Sequence, residues 1–358
     1  MMNFAYRQEV NMKYVLGFDI GGTKCAVITA NVNDGEIKLL KKEKCATRFD
    51  ISPEEMIDGL IRSAENILDG ARPEKIGISC GGPLDSRNGI ILGPPNLPGW
   101  DEVHISERIS RHFGVPALLQ NDANACAVAE WKFGAGMGAD NMVFLTFGTG
   151  LGAGLILNGR LYTGTNDNAG EAGHIRLERF GPVGYGKAGS FEGFCSGGGI
   201  AKLGCSMALE ALQSGRQPAY FKKGMNESDV TAKAIAEAAD AGDETAINVY
   251  RVCGEHLGAG LSVLIDILNP EKIVIGSVFA RSEHLLRKYA EEVIANEALP
   301  QAAKRAVRSP CRRRACCSCF SNPRKVHTQR RTASGRSLFC RGRSRGFPCP
   351  GGGAPARA

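Results

Sequence analysis

An α/β fold built from two related halves is the class this 358-residue chain predicts, and three observations predict it. The stretches "KYVLGFDIGGTKCAVITANVNDGEIKLL" from Lys13 and "NMVFLTFGTGLGAGLILNGRLY" from Asn141 each read as strand, glycine turn, strand, tight turn and strand. Each is followed by further strands and helices, which marks an internal structural duplication of low sequence identity. Glycine is abundant at 46 residues while aromatics are 7%, a balance that favours a turn-rich α/β protein over a coiled coil or a disordered chain.

The elements follow in order. Residues 13–30 cluster β-branched side chains, turn at "NDG", and run on as the strand "EIKLLKKEKCA". "SPEEMIDGLIRSAENILDG" is a helix with Ser52 as N-cap and Glu54 and Glu55 in its first turn. "EKIGISCGGPLD" is a buried strand ending in a glycine turn, and "HISERISRHFG" is a short helix closed by Gly114. "VPALLQNDANACAVAEWKFG" is a strand running into a helix at Asn121 and Asp122. Past the second meander, helices are expected at about 229–240 and 244–268, the latter stopped by Asn269 and Pro270. "EKIVIGS" is a strand and "SEHLLRKYAEEVIANEAL" a helix.

Charge divides the chain. Residues 304–358 hold 15 Lys and Arg and no acid, so the whole chain's +7 less these 15 leaves −8 for residues 1–303. Six of the 13 cysteines lie in that tail, and the other seven are scattered singly, which suggests neither a disulfide framework nor a zinc ribbon in the body. No apolar run approaches the ~20 residues of a membrane span, and "MMNFAYRQEVNM" lacks a signal-peptide core, so a cytoplasmic protein is expected.

Three phosphate-binding devices compete for the glycine turns. No stretch matches the P-loop pattern. Gly148, Gly150 and Ala153 spell a dinucleotide fingerprint, but "GLILNGRLY" follows them and reads as strand, where that fingerprint must open a helix. The third device, strand–glycine turn–strand, turns successive backbone N–H groups into an anion nest. It also explains Asp19, since a carboxylate beside a triphosphate would hold Mg²⁺ through water. Against it stands the plainer reading of two tight hairpins with an exposed Asp, which two copies in equivalent places disfavour.

"GFDIGGTK", "QNDANACAVAE", "LTFGTGLGAGLILNG", "GEAGH" and "NPEKIVIG", in this order over residues 13–300, resemble the ROK family of bacterial sugar kinases and related repressors. The resemblance implies two ribonuclease-H-like, actin-type ATPase domains flanking a nucleotide and sugar cleft. Its domains here would be an N-terminal extension over 1–12, a small domain over 13–122, a large domain over 123–303 and the tail 304–358. Only 12 residues precede the first strand, too few for the winged helix-turn-helix of the repressors, which points to an enzyme with no nucleic-acid partner.

The implied chemistry is phosphorylation of a hexose at its 6-hydroxyl by ATP with Mg²⁺, as in a glucokinase. Kinases for N-acetylglucosamine or N-acetylmannosamine and a non-catalytic sugar sensor are the alternatives. Asp122 is the implied base, although an Asp opening a helix is also an ordinary N-cap. Asn121, Glu171, His174 and Glu192 would read the sugar hydroxyls, with Asn96 a further contact or an ordinary turn residue. Gly21, Gly22, Thr23 and Lys24 would meet the nucleotide from one side. Gly148, Thr149, Gly150 and Gly152 would take the β- and γ-phosphates from the other, and Gly276 with Ser277 resembles the adenosine motif. Asp19 is the expected Mg²⁺ residue. The family's cysteine zinc loop reads "VGYGKAGS" here, with Val183, Tyr185 and Ser190 at the cysteine positions, so no zinc is expected. A homodimer is expected from the family.

The tail "CRRRACCSC" onwards has no helical or strand period. Its acid-free, Arg-, Pro-, Ser- and Cys-rich composition fits a disordered segment or out-of-frame translation, and the helix that closes the family's fold is not legible in it.

Overall fold

The computed structural model describes residues 12–33, 36–222 and 224–310. The N-terminal extension up to residue 11, the centre of the "NDG" turn and the tail from residue 311 lie outside the described residues.

The first lobe runs β1 (Lys13–Ile20), β2 (Lys24–Asn33), β3 (Glu36–Ala46), α1 (Pro53–Leu68), β4 (Lys75–Cys80), β5 (Leu84–Asp85), β6 (Ile90–Ile91), α2 (Ile105–Phe113) and β7 (Ala117–Asn121). The second runs α3 (Asp122–Phe133), β8 (Met142–Phe147), β9 (Leu151–Leu157), β10 (Arg160–Tyr162), β11 (Val183–Gly184), β12 (Lys187–Ala188), α4 (Phe191–Phe194), α5 (Gly197–Gln213), α6 (Ala232–Asp240), α7 (Glu244–Leu268), β13 (Lys272–Ile275), α8 (Val278–Glu297), α9 (Pro300–Arg305) and β14 (Val307–Pro310).

The duplication is topological. One five-stranded sheet has the order β3-β2-β1-β4-β7 and the other β10-β9-β8-β13-β14. In each, the hairpin strand pairs antiparallel to the central strand, whose other neighbour is parallel. Each sheet has its own core. Leu16, Phe18, Ile57, Leu60 and Ile78 pack together in the first lobe, and Val143, Leu145, Tyr250, Leu257 and Ile273 in the second. A third cluster seats α3 on the second sheet through Cys126, Ala127, Met142 and Phe144. The main chain therefore crosses from one lobe to the other between Asn121 and Asp122.

Local chemistry sets the helix ends. Ser52 and Glu55 form a capping box on α1, and Gly114 closes α2 in the left-handed conformation. Asp243 caps α7 through Ala246 N–H, and Asn269, at φ 43°, ends it before Pro270.

Three features depart from the sequence reading. Asn121, not Asp122, caps α3; its side chain accepts from Ala123 and Asn124 N–H. The glycine-rich start of α5 gives no helical signal, because glycine is a poor helix former. There the helix is set by Ser196, which caps Gly199 N–H at 2.9 Å, and by packing. Last, regular structure continues past residue 303, where the sequence pattern fades. β14 completes the second sheet beside β13, because main-chain pairing to a formed edge needs no side-chain period.

Candidate active site

The two glycine turns stand at equivalent ends of the two sheets. In the first, Asp19 pairs with Ala26 and Ile20 with Cys25, leaving residues 21–24 to turn. The Thr47 hydroxyl donates to Gly21 O at 2.5 Å, and Thr47 N–H donates to Thr23 O at 3.1 Å. A Cβ on Gly22 would lie 2.3 Å from the Asn96 carbonyl oxygen, so only glycine admits the loop that carries Asn96. Burial pushes the Cys25 thiol up, and its Sγ lies 3.4 Å from Thr47 Oγ1, beneath this turn.

Asp19 is half-buried at the end of β1. It is in register with Ser79 of β4, which is in register with Gln120 of β7, so the three side chains share one face. Ser79 Oγ is buried without a hydrogen-bond partner, and Gln120 Oε1 accepts from Asn124 Nδ2 at 3.1 Å and from Asn121 N–H at 2.8 Å.

The second turn closes between Phe147 and Leu151, and Gly148 N–H donates to Gly150 O at 2.9 Å. Gly152 therefore lies in β9 opposite Thr146 and not in the turn. A Cβ there would sit 3.7 Å from the Ala123 Cβ, an ordinary contact; it is Gly154, where a Cβ would lie 2.5 Å from the Ala127 Cβ and 2.6 Å from Ala123 O, that lets α3 approach. The start of α5 folds back onto the turn, with Gly197 N–H donating to Gly148 O at 2.7 Å and Gly198 N–H to Thr149 O at 3.3 Å. Gly276 is buried against the Phe144 ring, with its N–H on Leu145 O at 2.9 Å. Ser277 next to it faces the turn: its Oγ is 3.9 Å from where a Gly148 Cβ would stand. Its backbone is at φ 55°, ψ −108°, a costly conformation for a residue with a Cβ.

Between the turns the polar residues gather. Glu192 Oε2 accepts from Leu151 N–H at 3.0 Å, and a Cβ on Gly150 would meet that oxygen at 2.6 Å. Asp122 opens α3, with its Oδ1 accepting from Ala123 N–H at 2.7 Å. Asn121 spends its oxygen on the cap, while its Nδ2 lies 3.4 Å from where a Gly82 Cβ would be. Asn96 presents its amide to Gly81, within 3.6 Å of the corresponding point.

Glu171 is open to the cleft, yet its pKa is raised. Desolvation is the largest cause, the Glu192 carboxylate the next, with His174 opposing and Asp122 adding to the rise. Glu192, His174 and Asp122 thus each lie within electrostatic reach of Glu171. Burial pushes the neighbouring Cys80 thiol well up, with Asp122 and Asp19 adding to the effect.

His174 is held by the β11–β12 hairpin. Its ring meets Tyr185 edge-on at 6.3 Å, and Lys187 Nζ donates to its carbonyl at 2.7 Å. Of the positions read as former zinc ligands, Val183 and Tyr185 are exposed, and Ser190 is buried as the cap of α4. The segment is fastened by protein groups: Arg176 Nη1 on Ala188 O at 2.6 Å and Lys202 Nζ on Val183 O at 2.8 Å. Among the described residues no group of three His, Cys, Asp or Glu is placed to hold a metal ion.

Sequence reasoning placed Asp19, both glycine turns and the polar cluster in one cleft. It missed the seating of the second turn by Gly197 and Gly198, for which "CSGGG" after Glu192 was the available signal. It also missed the clasp of Tyr185 and Lys187 on His174, which no local pattern encodes.

Two sheets of one topology around a cleft, with paired glycine turns, define the actin-like ATPase class of fold. A family model described as the ROK family matches residues 15–313, and the chain belongs to that family. It is 33% identical over 307 residues to a glucokinase of Halalkalibacterium halodurans, covering 81% of this chain and 88% of that one. A ROK glucokinase of Streptomyces griseus, solved with glucose and AMPPNP, superposes with a TM-score of 0.67 at 28% identity, over 83% of this chain and 94% of that one. A ROK transcriptional regulator homologous to Escherichia coli Mlc superposes at 0.73 with 26% identity, over 85% and 75%. No helix among the described residues is long and apolar enough to cross a membrane.

Proposed function

We propose that this chain is an ATP- and Mg²⁺-dependent hexose kinase of the glucokinase kind, phosphorylating the 6-hydroxyl. The observation that carries the reading is the placement of Asp122. It opens α3 where the chain crosses between the lobes, close enough to Glu171 to raise that carboxyl's pKa, and the next residue, Ala123, faces Gly152 and Gly154 of β9. A pure sugar binder needs donors and acceptors but no carboxylate at that crossing.

In this reading Asn96, Asn121, Glu171, His174 and Glu192 hold the sugar, and Asp122 accepts the proton of its 6-hydroxyl. The oxygen bonds to the γ-phosphorus of ATP, the bond from that phosphorus to the β–γ bridging oxygen breaks, and ADP leaves. The Gly148–Gly150 turn takes the transferred phosphate on backbone N–H groups, and Gly21–Lys24 meets the nucleotide from the other lobe. Gly276 and Ser277 border the adenosine side. Asp19 would hold Mg²⁺, and the oxygen-rich row of Asp19, Ser79 and Gln120, with its unpartnered Ser79 hydroxyl, fits a hydrated hard cation. That ion neutralises phosphate charge when bound. The chain is read as needing no zinc, with Tyr185, Ser190, Lys187 and Lys202 holding the loop. A cytoplasmic homodimer completes the reading on family grounds.

The test is ADP release with Mg·ATP against a panel of hexoses and N-acetylhexosamines, for the wild type and Asp122→Asn. Turnover of one sugar, lost on substitution while sugar binding persists, is the expected result. Sugar binding without turnover in the wild type would replace the kinase by a sensor.

A further inference from the structure

The two lobes have separate cores, yet a pair of short hydrogen bonds joins them at the mouth of the cleft. Ser86 lies in the β5–β6 hairpin of the first lobe, and Asp167 in the loop after β10 of the second. Ser86 N–H donates to Asp167 Oδ2 at 2.8 Å, and the Ser86 hydroxyl donates to Oδ1 at 2.9 Å. One residue thus engages both oxygens of the carboxylate across 81 positions of sequence. Charge-assisted bonds of this kind are stronger than neutral ones. Asp167 sits at φ 60°, a left-handed conformation that aspartate tolerates and most residues do not.

Both ends are anchored to the sugar subsite. On the first lobe, Asp85 stiffens the hairpin by accepting from Arg87 N–H at 3.0 Å and Asn88 N–H at 2.9 Å. Leu92 N–H donates to Pro83 O at 3.0 Å, which ties the hairpin to the Gly81–Pro83 turn beside Asn96 and Asn121. On the second lobe, Ala169 N–H donates to Thr163 O at 3.1 Å. Gly170 O accepts from Ala153 N–H at 2.7 Å, and a Cβ on Gly170 would lie 2.0 Å from Ala153 O. The loop is sealed to β9 at that point, and Glu171 is the next residue.

We propose that Ser86 and Asp167 are positioning residues for the sugar. Their clasp sets the separation between the Asn96–Asn121 side of the subsite and Glu171. This rests on the hexose-kinase reading of the cleft. Preorganisation of this kind appears in sugar affinity and leaves the nucleotide side alone.

The test uses Asp167→Gly, which keeps the left-handed backbone and removes the carboxylate, together with Asp167→Asn, Ser86→Ala and the double variant of Ser86→Ala with Asp167→Gly. Losing two charge-assisted bonds is expected to raise the hexose KM about tenfold in Asp167→Gly, with the KM for ATP unchanged. Ser86→Ala should raise it by a smaller factor, Asp167→Asn should restore part of the loss, and the double variant should equal Asp167→Gly alone. Amide hydrogen exchange gives a readout that needs no turnover: the Ser86 N–H should be protected in the wild type and exposed in Asp167→Gly. An unchanged hexose KM in Asp167→Gly, or an equal rise in both KM values with a lowered melting temperature, would overturn the positioning role. An unprotected Ser86 amide in an active wild type would overturn the clasp itself. A protected amide in a wild type that turns over no hexose would remove the kinase reading, and the positioning role with it, while the clasp stands.

Discussion

The two glycine turns share a topology and differ in chemistry. The first is flanked by ionic groups: Asp19 on the strand before it and Lys24 at the start of the strand after it. The second has Thr146 where the first has Asp19, since the two occupy matching places in their hairpins, opposite Ala26 and Gly152. Its one carboxylate neighbour, Glu192, comes from a distant segment and binds Leu151 N–H. The comparison teaches that duplication copied a backbone device for anions and left side-chain chemistry to diverge. One turn became a charge site, and the other a backbone cradle seated by α5.

Asp122, the proposed base, lies on the crossing and belongs to neither turn, so its loss should have the largest effect. Asp122→Asn is expected to lower kcat by roughly 10²–10⁴-fold with sugar affinity near wild type, read by steady-state kinetics and calorimetric sugar titration. Next comes the asymmetry itself. Asp19→Ala is expected to cost about 10²–10³-fold in kcat and to raise the Mg²⁺ requirement, whereas Thr146→Ala should change little. Equal losses in a Mg²⁺ titration of the two variants would break the comparison.

Glycine substitutions sharpen it. Gly22→Ala drives a Cβ into the Asn96 backbone, which has no room to give, and should cost about 1–3 kcal/mol in denaturant unfolding. Gly150→Ala meets the tip of the Glu192 side chain, which can swing away, so stability should hold better while the sugar KM rises. A fall in stability as large as that of Gly22→Ala would show that the second turn is no looser than the first.

The smallest effect concerns Glu171. Its pKa is raised in the folded state, chiefly by desolvation and then by Glu192, so the native protein binds this proton more readily than the unfolded chain. Stability is then lost as pH rises from the unfolded carboxylate value through the raised one. Glu171→Gln should raise the unfolding free energy at neutral pH by less than about 1 kcal/mol for a solvent-accessible group, with the gain shrinking as pH falls through that window, as read by denaturant unfolding. A gain that grows towards acid pH would overturn the assignment.

Much of this was legible in the chain. Strand periodicity and glycine turns marked β1–β2 and β8–β9, and capping residues marked α1, α2 and α7, because those signals are local. The candidate site was legible where one residue type stands at one place in a motif, as with Asp19, Asp122, Glu171 and His174, and the roles proposed for them rest on the family resemblance. Gly152 was read as part of the second turn and lies in β9, and nothing local showed that Gly276 packs on the Phe144 ring. Whether a glycine faces a phosphate, a helix or a phenyl ring is a matter of packing.

The sequence by itself determined the duplicated α/β architecture, the two turns and the set of polar groups for the cleft, since hydrophobic period, turn chemistry and helix caps act within a few residues. The tertiary structure alone decided which residues meet across distance. It set Asn121 rather than Asp122 as the cap, Ser277 rather than Gly276 towards the second glycine turn, and Tyr185 and Lys187 on His174. It also placed Ser86 against Asp167. The physical reason is that a hydrogen bond between residues 81 positions apart has no sequence period; it exists only after two separate cores have formed and brought their loops together.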